Sequence, residues 1–182
     1  MLPGRNDFDS MEIKKLMQNF RKPGVVERIT IRSGRLVPVT EVSSVEAIEG
    51  RGLQGDRYNS KGGTRQVTLI QFEHLEAMAS ILGLSEVDFT LTRRNILVSG
   101  INLLALKDKT FRIGEALLQY SGECHPCSRM EETFGPGGYN AMRGHGGITA
   151  KVVAAGKIAI GDAVSVVSQP EQPSNSQLTI DN

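Results

Sequence analysis

The sequence predicts a mainly β protein, a closed or nearly closed β-barrel with a few helices on its outside. Two observations favour this fold class. Many short apolar runs are separated by turn residues, and the regular intervening helices of a parallel α/β sheet are missing. A chain of 182 residues suits one domain with tails. We expect an N-terminal tail and amphipathic helix over residues 1–24, the barrel domain over 25–167 and a disordered tail over 168–182.

The N-terminal elements follow from hydrophobic periodicity. Apolar residues spaced i, i+3, i+4 and i+7 predict an amphipathic helix over residues 9–20; they are Ile13, Leu16, Met17 and Phe20. Pro23-Gly24 ends this helix. The alternating segment that follows turns at Ser33-Gly34 and continues through Val37 and Val39, which predicts a β-hairpin. A third strand is expected over residues 42–48.

The middle and C-terminal elements are predicted in the same way. Residues 49–66 hold five glycines and are expected to form a loop too polar for the core. A strand at "QVTLIQ" then leads into a helix over 72–82 that Gly83 closes. Three short strands follow at "NILVSG", "TFRIG" and "ALLQYSG". Beyond the cysteines, alternation over 148–152 predicts a strand that Gly156 breaks, and Gly161-Asp162 introduces the last strand.

Composition limits the classes of partner. The net charge of +1 argues against a strongly electrostatic partner such as nucleic acid. No run approaches the roughly 18 apolar residues of a membrane helix, and the N-terminus lacks a secretory signal pattern, so we expect a cytoplasmic protein that does not bind a membrane. Two cysteines are too few for a disulfide framework. Their close spacing therefore indicates chemistry.

Both cysteines lie in the segment "SGECHPCSRMEETFGPGGYNAMRGHGG". Ser128 and Glu131 fit a capping box, which predicts that a short helix begins there. Cys127 would then lie just outside a helix N-terminus, where the unpaired N–H groups and the positive end of the dipole favour a thiolate. Arg129 and Arg143 would add positive charge. Cys127 is thus the candidate reactive sulfur.

Other interpretations of the segment remain open. Cys124 and Cys127 are spaced like a thioredoxin-like redox couple, although the βαβ context of such couples is missing. A structural zinc site would need His145, and perhaps His74, to complete four ligands. The two cysteines can also be small buried hydrophobic residues. The glycines after them can bring backbone N–H groups toward an anion near Arg143, or form a plain surface turn.

Several motifs together resemble the MOSC family, named from the C-terminal part of molybdenum cofactor sulfurases. They are, in order, "GLQGDRY", "RQVTLIQFEHL", "RRNILVSG", "FRIGEALLQYSGECHPCSRMEE" and "GITAKVVAAGKIAIGDAV". The set most resembles the compact stand-alone bacterial members. This resemblance implies a pyruvate-kinase-barrel-like β-barrel. It also implies a cysteine, here Cys127, that carries sulfur as a persulfide or ligates the molybdenum of the pterin cofactor.

The resemblance further implies a cofactor site. In "RRNI", Arg93 and Asn95 match positions that line the cofactor site of amidoxime-reducing relatives; a solvated strand end is the alternative for Arg93 and Arg94. With Arg129 and Arg143 they would meet the pterin phosphate and the oxo groups. Cys124 and His125 are the remaining candidate cofactor contacts. Asp56 and Arg57 are expected to order their loop instead.

The partners implied by the resemblance are a sulfur donor and a reductase. Long family members carry a fused pyridoxal-phosphate cysteine desulfurase, for which this chain has no room, so pyridoxal phosphate is not expected and sulfur would come from a separate cysteine desulfurase or other donor. Compact relatives also suggest reduction of N-hydroxylated compounds with an external reductase. The alternative is a non-catalytic binding module in which the cysteine pair and a histidine hold a structural metal. The oligomeric state is not predicted.

Overall fold

The structure is a computed structural model that describes residues 12–35, 37–58 and 61–167. The predicted C-terminal tail and the first eight residues lie outside this part of the chain. The strands are β1 (Gly24–Ile31), β2 (Thr40–Val42), β3 (Ser44–Ile48), β4 (Gly52–Leu53), β5 (Val67–Gln71), β6 (Ile96–Ser99), β7 (Thr110–Ile113), β8 (Ala116–Glu123), β9 (Ile148–Ala154), β10 (Gly156–Ala159) and β11 (Ala163–Val166). The helices are α1 (12–16), α2 (Phe72–Leu82), α3 (Phe89–Thr92), α4 (Arg129–Phe134) and α5 (Gly138–Met142), with a 3₁₀ turn at Leu103–Leu106.

Seven strands close into a barrel, which confirms the predicted fold class. Their order is β11-β7-β8-β9-β5-β6-β1, and β11 pairs again with β1 to complete the ring. Closure leaves these seven strands without a free edge. A separate three-stranded sheet, β10-β3-β4, lies beside the barrel.

One pair of neighbouring barrel strands is parallel, whereas the other described pairs are antiparallel. Strands β5 and β6 pair in parallel, with Leu69 opposite Ile96, and α2 and α3 lie in the crossover between them. A parallel pair requires such a crossover because no tight turn can join its strands. Among the described strands this βαβ unit occurs once, so the sequence shows no repeated alternation of strands and helices that would have predicted it.

The core has two parts, one on each side of the barrel wall. Inside the barrel, fully buried residues such as Ile29, Leu69, Phe111 and Leu118 pack together. Outside it, a second cluster joins the wall to the helices; it contains Ile70, Met78, Phe89, Met130 and Met142. Strand β5 is therefore buried on both faces. Because Met130 lies on α4 and Met142 on α5, this second cluster fixes the cysteine-bearing segment against the barrel.

Two local expectations are corrected. The second strand of the hairpin is β2 at Thr40–Val42, beyond Val37 and Val39, because a longer loop joins it to β1. The loop over 49–66 is not wholly outside the core, since Leu53 and Asp56 are buried in it.

The apolar stripe on α1 is largely exposed to solvent. Ile13, Leu16 and Met17 are each more than half exposed, whereas Phe20 packs against the barrel core. In the described part of the chain, no helix combines the length and apolar character needed to cross a bilayer.

Candidate functional site

A cleft of about 460 Å³ opens at one end of the barrel. Four stretches of chain meet there: the end of β1, the glycine-rich loop (residues 49–66), the start of β6 and the cysteine segment (residues 121–147). Its walls hold six arginines, namely Arg32, Arg57, Arg65, Arg93, Arg94 and Arg129, against the two carboxylates of Asp56 and Glu123. Such an excess of positive charge in a concave site favours an anionic ligand.

Asp56 joins three of these stretches. One carboxylate oxygen accepts hydrogen bonds from the backbone N–H of Arg32 (2.9 Å) and the side-chain amide of Asn95 (3.0 Å). The other accepts from the backbone N–H of Tyr58 (2.9 Å). The side chain is 3% exposed, so these bonds form away from water, where charge-assisted bonds are strong. Asp56 thus orders the glycine-rich loop, as the sequence predicted.

Asn95 is engaged entirely by the protein. Its side-chain oxygen accepts from both the N–H and the hydroxyl of Thr68, at 3.0 and 2.8 Å. Its amide group donates to Asp56 and, at 3.2 Å, to the carbonyl of Thr30. All four hydrogen bonds available to a side-chain amide are therefore made internally. Asn95 lines the cleft, and its bonds connect β1, β5 and β6 at the cleft floor.

Arg94 braces the cysteine segment. Its guanidinium donates to three backbone carbonyls, those of Gly146 (2.8 Å), Thr92 (3.0 Å) and Cys124 (3.0 Å). Burial lowers the pKa of Arg94 below its usual value, because an apolar environment disfavours the charged form. A solvated strand end is thus the wrong interpretation for Arg94.

Arg93 and Arg32 hold the free donors of the cleft. Arg93 Nη2 and Arg32 Nε are buried and have no hydrogen-bond partner among the residues that the structure describes. Burial, followed by the positive charge of Arg93, lowers the pKa of Arg32. Buried polar groups are nearly always paired. Two buried donors on neighbouring, positively charged side chains would favour an anionic ligand at this place.

The two cysteines have different environments. Cys127 is exposed on the cleft wall just before α4, and its carbonyl accepts the first helical hydrogen bond from Met130 at 2.9 Å. Cys124 is buried, with its backbone N–H bound to the carbonyl of Gly147. Arg65 Nη2 donates to Cys124 Sγ at 2.9 Å. Of the two, Cys127 is the one open to a substrate.

The predicted helix begins after Cys127, but the predicted capping box is wrong. Ser128 has helical dihedral angles and makes no side-chain capping bond. The carboxylate of Glu131 instead accepts from the backbone N–H groups of Gly137 and Tyr139, and these bonds lower the pKa of Glu131. Glu131 therefore caps the start of α5, so it stabilises the turn between the two helices.

The structure brings most of the predicted site residues to the cleft. Cys127, Arg93, Asn95, Arg129 and His125 all line it. Cys124 lies behind the wall, and Arg143 is exposed at the end of α5 and does not line the cleft. Their roles toward a cofactor stay predictions.

Sequence reasoning missed Arg32 and Arg65 as cleft residues. Arg32 lies in the alternating segment that predicts the first strand of the hairpin, and Arg65 lies in the loop over 49–66 expected to be too polar for the core. The signal was the number of arginines in polar, glycine-rich loops.

The histidines proposed for a zinc site pair with each other. The rings of His74 and His145 meet edge to face, with centroids 4.8 Å apart. Across residues 12–35, 37–58 and 61–167, no group of three or more His, Cys, Asp and Glu residues is arranged to hold a metal ion. The alternative of a structural metal module thus gains no ligand cluster from the described residues.

Comparison with solved structures gives the fold a precedent. YuaD from Bacillus subtilis is similar with a TM-score of 0.70 and 20% sequence identity, over 81% of this chain and 97% of that chain. YiiM from Escherichia coli gives a TM-score of 0.61 and 23% identity, over 85% of this chain and 73% of that chain. YiiM from Geobacillus stearothermophilus gives 0.63 and 18%, over 80% and 76%. At these identities the likeness concerns the fold alone.

Comparison at the level of sequence identifies the family. No curated protein gives a significant match. The family model described as the MOSC domain matches residues 56–165, which span more than half of the chain and run from Asp56 through the cysteine segment to the last barrel strand. The chain therefore belongs to the MOSC domain family.

Proposed function

We propose that the arginine-lined cleft binds the molybdenum cofactor through its phosphate, and that Cys127 is the reactive thiol at this site. The observation that carries the proposal is the pair of buried, unpartnered guanidinium nitrogens, Arg32 Nε and Arg93 Nη2. Phosphate oxygens accept hydrogen bonds from guanidinium groups with favourable geometry and charge. The fit is chemical: a cleft with two free cationic donors suits a ligand with several anionic oxygens.

Other residues have distinct parts in this proposal. Arg57 and Arg129 lie on the cleft walls and add positive charge to the anion site. The side chains of Asp56 and Asn95 make their hydrogen bonds within the protein, so their role is to hold the cleft walls in place. When bound, the cofactor would supply oxo-transfer and redox chemistry. The protein's own part is to bind the phosphate, hold the cleft walls and present a thiol.

Cys127 can serve in sulfur transfer. A persulfide donor, such as a cysteine desulfurase, would offer its terminal sulfur to the Cys127 thiolate. The new S–S bond forms at Cys127 as the donor's S–S bond breaks, and the donor leaves as a thiolate. Cys127 lies on the cleft wall just before the first turn of α4, beside the proposed anion site. Its exposure gives a donor access.

The test is mass and metal analysis of full-length protein purified from a host that makes the cofactor. We expect bound molybdenum and pterin in the wild type, and an added sulfur mass on Cys127 after incubation with a desulfurase and cysteine. Cys127→Ser should lose the added sulfur, whereas Cys124→Ser, the matched control in the same segment, should keep it. Arg93→Met should lose the pterin.

Two results would contradict the proposal. One is a Cys127→Ser variant that still accepts sulfur and binds cofactor like the wild type. The other is wild-type protein that, offered the cofactor, never retains it.

Reduction of N-hydroxylated compounds is the redox branch of the same proposal. It uses the same cleft and requires an external reductase to supply electrons. Turnover of a hydroxylaminopurine by fully loaded protein with a chemical electron donor supports this branch. Loaded protein without turnover restricts the function to cofactor binding and sulfur carriage.

A further inference from the structure

The stripe of α1 is an exposed apolar surface beside two lysines, and the helix also carries one acidic residue, Glu12. Ile13, Leu16 and Met17 are 56%, 61% and 56% exposed, and Lys14 and Lys15 lie among them. The residues that follow α1 are fixed to the barrel. Phe20 packs against the barrel core, and Lys109 Nζ donates to Gln18 at 3.0 Å. The anchor therefore holds the stripe away from its own barrel.

A groove elsewhere on the barrel is also apolar, but the charged residues around it are mainly acidic. It has a volume of about 890 Å³ and runs along α2, beside the segment that leads into α3. Its floor is apolar, with Leu75, Val87 and Phe89 buried, and its rim exposes Phe72 (43%) and Leu84 (47%). An exposed apolar surface of this kind, rimmed by polar groups, is typical of an interaction site.

The rim of the groove is acidic. Four carboxylates line it, those of Glu27, Glu76, Glu86 and Asp88, against the single positive charge of Arg28. Arg28 already pairs with Glu41 and Asp88. Within the described residues, Glu76 and Glu86 form no ion pair. The groove therefore presents an apolar floor with two uncompensated negative charges at its edge.

We infer that α1 of one copy docks in the α2 groove of a second copy. The bare apolar stripe matches the apolar floor, and Lys14 and Lys15 match Glu76 and Glu86 in charge. No residue of α1 lines the groove of its own chain, because the anchor at Phe20 and Gln18 holds the helix elsewhere. Two such contacts, each copy giving its helix to the other, would close a symmetric dimer.

The dimensions are compatible with this docking. From Ile13 to Met17 the helix rises about 6 Å at 1.5 Å per residue, and the 11 residues of α2 give a groove wall of about 16 Å. The wall is thus longer than the stripe. The charged residues would form the rim of the interface and govern the choice of partner. This inference does not depend on the proposed function of the cleft.

The experiment uses charge reversal on the full chain, with mass measured by light scattering and sedimentation over a range of concentrations. One variant carries Lys14→Glu and Lys15→Glu; the other carries Glu76→Lys and Glu86→Lys. Each variant alone places like charges together, so we expect its dimer dissociation constant to rise at least about tenfold. Mixed in equal amounts, the two variants carry complementary charges at both contacts and should form a heterodimer.

The matched control is Glu46→Lys with Glu49→Lys, which reverses two exposed charges outside the groove and should leave the dimer intact. Circular dichroism verifies that every variant is folded. The inference is overturned if the wild type is monomeric at all concentrations. A monomer in which α1 docks in the groove of its own chain would be one such result. It is also overturned if the dimer resists both charge reversals or if the mixture fails to associate.

Discussion

Replacing Arg94 with methionine tests whether neighbouring arginines have separate tasks. Methionine keeps most of the aliphatic volume and removes the guanidinium. The structure assigns Arg94 three hydrogen bonds to backbone carbonyls of Thr92, Cys124 and Gly146. The matched variant is Arg93→Met, which removes a guanidinium with a buried, unpartnered nitrogen.

The expected loss of stability follows from these bonds. A hydrogen bond that involves a charged group contributes about 1.5–3 kcal/mol, and each carbonyl left unsatisfied costs about 1–3 kcal/mol. Relief from burying a charge offsets part of this sum, so we expect Arg94→Met to lower the free energy of unfolding by roughly 3–5 kcal/mol, as for other broken buried charge networks. Arg93→Met should change it by less than about 1 kcal/mol, because the Arg93 side chain makes no hydrogen bond to the described part of the chain.

The assay is urea unfolding, combined with phosphate binding by calorimetry. At an m value of roughly 2 kcal/mol/M, Arg94→Met should lower the midpoint by roughly 1.5–2.5 M urea. Arg93→Met should keep the midpoint and lose phosphate affinity. If Arg94→Met unfolds at the wild-type midpoint, or if Arg93→Met is equally destabilised, the division between a bracing and a ligand-facing arginine is wrong.

Two further predictions concern packing and pH. Gly147 has φ +81°, and an added Cβ would overlap the carbonyl of Leu69, so Gly147→Ala should destabilise the fold by more than about 3 kcal/mol. At Gly144, with φ +76° and nothing within 4 Å, alanine should cost only about 1–2 kcal/mol, the left-handed strain alone; equal losses in thermal unfolding would refute this. Burial, then the His145 ring, lowers the pKa of His74 below its usual 6.5. The unfolded state therefore binds a proton first, so stability is full above pH 6.5 and declines as the pH falls toward the folded pKa. His74→Gln should flatten this decline in urea titrations, whereas His125→Gln should not.

The sequence predicted the barrel because alternation and turn residues are local signals. It also placed α2 and its C-cap, since Gly83 adopts the left-handed conformation with φ 68°. It did not predict which arginines share a cleft, because that depends on the order of strands in the ring. Arg32 and Asn95 are distant in sequence, yet both contact Asp56.

The capping box failed for a related reason. Ser128 and Glu131 have the right spacing, but Glu131 finds two backbone donors in the next helix. Glu131 therefore bonds to the next helix instead of closing a capping box with Ser128.

The backbone at Arg93 explains how adjacent arginines come to face different ways. Arg93 is the C-cap of α3 and adopts a left-handed conformation with φ 58°, which is uncommon for a residue with a side chain. Because of this turn, the side chain of the next residue, Arg94, lies buried and donates hydrogen bonds to the carbonyls of Cys124 and Gly146 in the cysteine segment. The guanidinium of Arg93 is left at the cleft without a full set of partners. Strained conformations of this kind persist where the surroundings hold them, often at functional sites. The strain here is held by Arg94 and Asn95, whose side chains bond to two strands (β1 and β5), three loops and the end of α3. Bracing and ligand recognition are thus coupled through one turn of the chain.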